Sequence, residues 1–353
     1  MKYFGIYSTS GDVQSALNNE ELGNPYVALV GTAHTLDYNT LEPVEPVIDY
    51  SQMPLTFEFL EDGTITFSEA FQPFKYSVNE GEWVTVEVDE ETGATVELSV
   101  SSGDTVALIA TDNFTKDYDG LRFNVYGNYN SLACTALNED FTTILDFTDR
   151  NKPSYVFSDG QGTGSNVVDA ENLVLPTTGF TDGYDYEYMF ADCSELVKAP
   201  RVLPATVLSE YCYNYMFQGC TALTQAPELP ATTLAAGCYT YMFGMCSSLV
   251  SAPVLPAPVL VDGCYESMFN SCESLTGVTC LATSIAQDAN PFGTTMCDGD
   301  NWLSGTSWDG GTFYKDANTT IPWCVIPEDD SQYECTGYEV GPYTWTIQNY
   351  NNS

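Results

Sequence analysis

The sequence has few positively charged residues. Nine Lys and Arg stand against 49 Asp and Glu, so the formal net charge is −40. Proteins that bind phosphate backbones or anionic membranes do so through basic patches. The charge balance therefore argues against nucleic-acid partners. After residue 160, only Lys198, Arg201 and Lys315 supply positive charge.

Histidine is almost absent, and His34 is the only one. A Ser-His-Asp or Cys-His catalytic set would have to use it, and the two-histidine motif of zinc proteases is excluded. No Cys-x-x-Cys pair occurs among the 12 cysteines, which argues against a zinc site. No spacing selects two acids as the carboxylate pair of a glycosidase. We therefore expect a protein that is not an enzyme.

Long apolar runs are missing as well. None reaches the ~20 residues that cross a bilayer. The first residues lack the apolar core of ~7–15 residues that a secretory signal needs. We therefore expect neither membrane insertion nor export through a signal peptide.

Aromatic residues, in contrast, are abundant. The chain has 24 Tyr and 18 Phe, while charged residues make up only 16%, a composition that favours strands. From Leu55 onward, apolar residues alternate in short segments that are separated by turn residues such as Asp62-Gly63. Seven or so strands of this kind predict a β-sandwich over residues 51–135. Residues 136–172 are interpreted as a connecting segment.

Residues 1–50 predict a small module and a linker. Residues 3–7 and 26–30 are typical of strands, and Ser10 can cap a helix between them. A β-α-β unit of this size rarely buries a sufficient core, so we expect it to dock on a partner. The alternative is a plain N-terminal subdomain that packs on its own chain. The candidate anchor residues are Tyr3, Phe4, Ile6, Val13, Leu17, Tyr26 and Val27.

A repeat dominates the second half of the chain. Met-Phe pairs begin at residues 189, 216, 242 and 268, at steps of 27, 26 and 26 residues. We number the four repeat units by these pairs. In each unit a Cys follows four residues after the Met, and a Leu follows three residues after the Cys. One such unit cannot bury its apolar face alone, so we expect neighbouring units to stack.

Helical spacing suggests which residues of a unit share a side. Cys212, Tyr213, Met216, Phe217 and Cys220 fall in one sector of a helical wheel, which predicts a short helical turn in each unit. The cysteines of this sector are expected to be buried thiols. Cys212 and Cys220 would lie about 12 Å apart on a helix, beyond the reach of a disulfide.

Tyr215 lies on the other side of the predicted turn. Tyr188 and Tyr241 occupy the equivalent positions, and Ser267 ends the series. These three tyrosines are the candidate contact surface for a glycan or a protein, because a phenol combines an apolar ring with a polar tip. The alternative is that they pack along the edge of the repeats as part of the structure.

Two further groups of residues remain open. Asp112, Asp117 and Asp119 could offer oxygen ligands to Ca²⁺, but their spacing does not match an EF-hand loop, and an ordinary acidic turn is the alternative. Otherwise no cofactor is expected. Cys297, Cys324 and Cys335 lie outside the repeat positions and could pair, although a protein assembled in a reducing cytoplasm keeps its thiols.

The string Tyr-Met-Phe-x-x-Cys-x-x-Leu-x-x-Ala-Pro-x-Leu-Pro resembles the BspA-like leucine-rich repeat of gut Bacteroides and their phages. The resemblance covers roughly residues 173–285. Residues 3–40 are similar to the N-terminal module of structural proteins from Bacteroides phages, including crAss-like phages. The tail, with Asn301-Trp302, Gly311–Lys315 and Trp345, resembles the cap of such arrays, from which the segment 323–343 departs.

The resemblance implies a mainly β protein with a leucine-rich-repeat solenoid over residues 173–296 and a cap over residues 297–353. It also implies a non-enzymatic virion protein, either a head fibre or a capsid decoration. Residues 1–50 would bind other virion proteins, and the solenoid would face a host surface protein or glycan. By analogy we expect a homo-oligomer, either a dimer or a trimer. The alternative is a BspA-like adhesin on a bacterial cell surface.

Overall fold

The computed structural model describes residues 5–7, 28–30, 55–70, 74–87, 94–110, 132–136, 157–158, 167–175, 186–293, 302–326 and 337–351. The chain divides into two compact units, Met1–Asp49 and Tyr50–Ser353. The described residues form several sheets and no helix, so this part of the protein is mainly β. Accordingly, no helix within it is long and apolar enough to cross a membrane.

The first unit contains one described pair of strands. β1 (Gly5–Tyr7) pairs in parallel with β2 (Ala28–Val30), and Ile6 lies opposite Leu29. Parallel neighbours need a crossover connection between them, as in the predicted β-α-β unit. The predicted helix and six of the candidate anchor residues lie outside the described residues; these are Tyr3, Phe4, Val13, Leu17, Tyr26 and Val27.

The second unit begins with antiparallel strands. They are β3 (Leu55–Phe59), β4 (Gly63–Ala70), β5 (Phe74–Val78), β6 (Val84–Val86), β7 (Ala94–Val100), β8 (Thr105–Ala110) and β9 (Leu132–Ala136). β3, β5, β6, β8 and β9 belong to one sheet, and β4 pairs with β7 in another. Leu55, Phe57 and Phe59 are fully or almost fully buried, because alternate residues of a strand point to the same face.

Residues 136–172, the predicted connecting segment, contribute side chains to the core. β10 (Val167–Asp169) pairs in parallel with β9, and Asp169 also forms a parallel bridge with Lys198 in the first repeat unit. The Phe157 ring contacts Phe57 edge-on at 6.4 Å and stacks on Phe190 at 4.8 Å. The antiparallel strands and the repeat units therefore share one continuous core.

The remaining strands lie within the repeat units and the tail. They are β11 (Ser251–Leu255), β12 (Val259–Leu260), β13 (Gly277–Cys280), β14 (Ser284–Ile285), β15 (Gly311–Lys315), β16 (Trp323–Ile326), β17 (Tyr338–Pro342) and β18 (Trp345–Asn349). β11, β13, β15 and β18 form a parallel sheet in that order, while β12 pairs with β14 and β16 pairs with β17. Single bridges at Lys198↔Gln225 and Val202↔Glu228 continue the parallel pairing into the earlier units.

The predicted helical turn in each unit is wrong. In the second repeat unit, the backbone N–H groups around Met216 alternate between two kinds of acceptor. Tyr215 and Phe217 donate to carbonyls of the third repeat unit at 2.9 Å, whereas Met216 donates to the carbonyl of Tyr213, three residues back in its own repeat unit. An α-helix would instead use its own carbonyls four residues back throughout.

The alternation has a conformational signature. Tyr211, Tyr213 and Tyr215 have φ values of 54°, 58° and 55°, a region that L-residues rarely adopt. Every second residue from 211 to 215 therefore has a left-handed backbone conformation. A helical wheel cannot represent this backbone, although it placed the apolar residues correctly on a buried side.

Candidate functional site

Side chains at equivalent positions of successive units stack into columns. The rings of Phe190, Phe217, Phe243 and Phe269 follow one another at 5.3, 5.6 and 5.6 Å, with planes within 6° of parallel. Phe157 precedes this column and Trp302 follows it. Sequence reasoning missed both end residues because each lies 33 residues from its neighbour in the column, beyond the repeat period.

The three candidate contact tyrosines also form a column. Tyr188 and Tyr215 stack at 4.7 Å, and Tyr215 and Tyr241 stack at 5.1 Å, with interplanar angles of 5° and 4°. All three residues are partly buried, and Ser267 takes the next position. Because the rings cover one another, the column offers ring edges and hydroxyl groups to a ligand. The inner ring faces are occupied.

Acidic and amide groups accompany this tyrosine column. The Asn214 side-chain amide donates to Glu187 Oε1 at 3.0 Å. Burial raises the pKa of the Glu187 carboxyl above its ordinary value, and the Asn214 hydrogen bond opposes that shift. Burial also raises the pKa of Tyr215, and the nearby Tyr241, Glu266 and Glu187 raise it further. The phenol therefore stays protonated at neutral pH and can both donate and accept hydrogen bonds.

Buried thiols form two further columns. One contains Cys193, Cys220, Cys246 and Cys272, and the other contains Cys212, Cys238 and Cys264. In the first column each thiol donates to a Phe carbonyl of the preceding segment, at 3.0–3.2 Å. None of the seven forms a disulfide. The expectation that these thiols are buried is confirmed, although the helix on which the distance argument depended is absent; their reduced state stays a prediction.

Burial makes these thiols poor nucleophiles. It raises the pKa of Cys272 to about 12 and that of Cys220 and Cys246 well above the ordinary value. A thiolate is the reactive form of cysteine, so these three thiols are poor nucleophiles at neutral pH. They are part of the scaffold that holds the tyrosine column.

Other candidate residues lie elsewhere. Asp112, Asp117, Asp119, His34, Cys297 and Cys335 fall outside the described residues. Cys324 lies in β16, is partly buried and forms no disulfide. Across the described part of the chain, no three His, Cys, Asp or Glu residues are grouped so that they could hold a metal ion.

Two of the three basic residues in this half are engaged with acids. Lys198 Nζ lies 2.9 Å from Asp169 and 3.0 Å from Glu171, and Arg201 Nε lies 3.3 Å from Glu171. These side chains are partly or largely exposed, so the pairs contribute little to stability. They do neutralise most of the positive charge available after residue 160. Apart from Lys315, the remaining charged side chains after residue 160 are acidic.

The tyrosine column thus combines three hydroxyl groups, spaced by the repeat, with two nearby carboxylates on a surface that stacking holds rigid. Its chemistry suits hydrogen bonding along a line. Comparison of the chain with protein-family models, with curated proteins and with solved structures gave no match.

Proposed function

We propose that this chain is a non-enzymatic structural protein of a phage particle, a head fibre or a capsid decoration. Residues 1–50 attach it to other virion proteins. The four repeat units form a solenoid of BspA-like leucine-rich repeats, closed by the tail. The solenoid faces the medium and presents the tyrosine column to a host surface protein or glycan.

One observation carries the proposal. From Phe157 to Trp302, the rings of each segment contact the rings of the next segment along the chain. The backbone groups of the two segments also form hydrogen bonds with each other. An array in which each unit contacts only its neighbours grows in one dimension and presents an extended surface. Such an array is suited to hold a binding surface away from an attachment point. The repeat motif supports the same proposal through its resemblance to BspA-like proteins.

The alternative is a bacterial cell-surface adhesin of the BspA-like type. The tyrosine column supports this candidate equally, because it is a contact surface whatever carries it. The two candidates differ in what residues 1–50 bind and in where the protein is found.

Quantitative mass spectrometry separates them. We expect the intact protein in density-purified phage particles at a fixed ratio to the major capsid protein. A variant that lacks residues 1–49 should remain folded and soluble, because residues 50–353 contain a continuous core. It should be missing from particles. The full-length Tyr215→Phe variant is the control and should join particles normally.

Two results would contradict the proposal. Full occupancy of the truncated variant on particles would remove the attachment role from residues 1–49. Recovery of the intact protein from bacterial outer membranes alone would favour the adhesin.

A further inference from the structure

Trp308 exposes 59% of its surface. It lies in the turn that precedes β15, apart from the tyrosine column. An isolated exposed apolar residue needs no functional explanation. The surroundings of Trp308 distinguish it from such a case.

Hydrogen bonds hold the turn that carries Trp308. The Ser307 carbonyl accepts a hydrogen bond from Trp345 Nε1 at 2.8 Å, and the Trp308 carbonyl accepts one from Thr344 Oγ1 at 2.9 Å. Gly310 has a φ of 123°, which residues with a Cβ rarely adopt. The indole is therefore presented by a rigid backbone, and little conformational entropy is lost when a partner binds it.

A second exposed aromatic residue lies on the turn that holds the first. Tyr343 precedes Thr344, the residue whose hydroxyl bonds to Trp308, and it exposes 45% of its surface. Trp and Tyr are the residues most enriched at the energetic centres of protein interfaces. Two contacting turns thus carry two such residues, and Asp309 beside them is also exposed.

The negative charge of this region favours a positively charged partner. Residues 302–326 and 337–351 contain three carboxylates, Asp309, Asp316 and Glu339, and a single base, Lys315. The whole chain carries −40, so a second copy would bring repulsion. An indole face attracts Arg and Lys side chains, and a neighbouring carboxylate adds to that attraction.

We propose that Trp308, Asp309 and Tyr343 form a docking site for the arginine or lysine side chains of a different, basic protein. The cation lies over the indole and pairs with the Asp309 carboxylate, while Tyr343 borders the site. This site is independent of the tyrosine column and of the attachment role of residues 1–50. The proposal of this docking site applies both to a virion component and to an adhesin.

The test uses the full chain and a short peptide of alternating arginine and glycine, labelled with fluorescein. The control peptide carries citrulline in place of arginine, which keeps the shape and removes the charge. Fluorescence anisotropy should show binding of the arginine peptide alone. Trp308→Ala should weaken it about two- to fivefold, the range expected for one exposed cation–π contact, and Trp308→Phe should recover part of the loss.

Two matched variants control for the general negative charge. Trp83→Ala removes another exposed Trp, 44% exposed, from the antiparallel part of the chain, and Glu228→Gln removes an exposed acid from the second repeat unit. Both should bind the arginine peptide as the wild type does. Circular dichroism checks that every variant is folded.

Several results would overturn the proposal. Unchanged affinity of folded Trp308→Ala would do so, as would equal weakening by Trp83→Ala. Equal binding of the citrulline peptide would show that charge is not recognised. Binding of dextran or xylan that depends on Trp308, without binding of the arginine peptide, would make the site a glycan site instead.

Discussion

The thiol of Cys246 donates to the carbonyl oxygen of Phe217, in the preceding repeat unit, at 3.1 Å. The same carbonyl accepts the backbone N–H of Cys220, so both of its lone pairs are used. The sequence predicts that these cysteines are buried thiols. The structure adds that each one in this column is also a hydrogen-bond donor between neighbouring segments.

Replacing Cys246 should therefore remove two contributions at once. Cys246→Ala leaves a small void and one unused lone pair on the Phe217 carbonyl oxygen, and we expect the free energy of unfolding to fall by about 1–2 kcal/mol. Cys246→Ser keeps a donor and should recover part of this loss if the hydrogen bond matters. Urea denaturation measures both variants. The exposed Val250→Ala is the control, with a change within about 0.5 kcal/mol; an equal loss there would remove the special role of Cys246.

Alkaline conditions should destabilise the protein through these thiols. Burial raises the pKa of Cys272 and of Cys280 from 9.0 to about 12. The folded state therefore keeps protons that the unfolded state releases above about pH 9, so the free energy of unfolding should fall as the pH rises from about 9 to about 12. Urea denaturation at several pH values across this range measures how the free energy of unfolding changes with pH.

The seven column cysteines should resist Ellman's reagent in the native protein and react once urea unfolds it. Rapid native labelling of the seven column cysteines, or stoichiometric disulfides among them, would contradict this picture of the core.

Gly237 should not tolerate a side chain. Its φ is 64°, and an added Cβ would collide with the ring of Tyr211, which lies over it. We expect Gly237→Ala to lower the free energy of unfolding by about 1 kcal/mol or more. Gly277→Ala is the matched control, because its nearest neighbour would be Ser251 Oγ at 4.0 Å and its φ is not in the left-handed region. Thermal unfolding of the two variants should differ clearly; similar midpoints would refute the argument.

Tyr215 allows the contact role and the packing role of the tyrosine column to be separated. Tyr215→Phe keeps the stack and removes the hydroxyl, so stability should stay within about 0.5 kcal/mol while adsorption of the purified protein to host cells falls. Tyr215→Ala interrupts the column and should lower both. Tyr211→Phe, outside the column, is the control for adsorption. Normal adsorption of Tyr215→Phe would leave the tyrosines as packing residues only.

The sequence predicted those features that depend on periodic apolar residues. The alternation around Leu55, Phe57 and Phe59 located β3, and the Met-Phe period predicted which segments lie side by side. The backbone of each unit was beyond a periodicity argument, because left-handed residues such as Tyr213 give the same buried side as a helix. No sequence pattern predicts the Trp308 site, because the hydrogen bonds that hold its turn come from Thr344 and Trp345, far along the chain.

β10 has a mechanical consequence. Its pairing with β9 and its bridge from Asp169 to Lys198 bond it to neighbours on both sides. Bending the repeat units away from the sheet that contains β9 and β10 would have to break the bridge from Asp169 to Lys198 and separate Phe157 from Phe57 or from Phe190. A force applied to the repeat units is therefore transmitted to that sheet through β10 and Phe157.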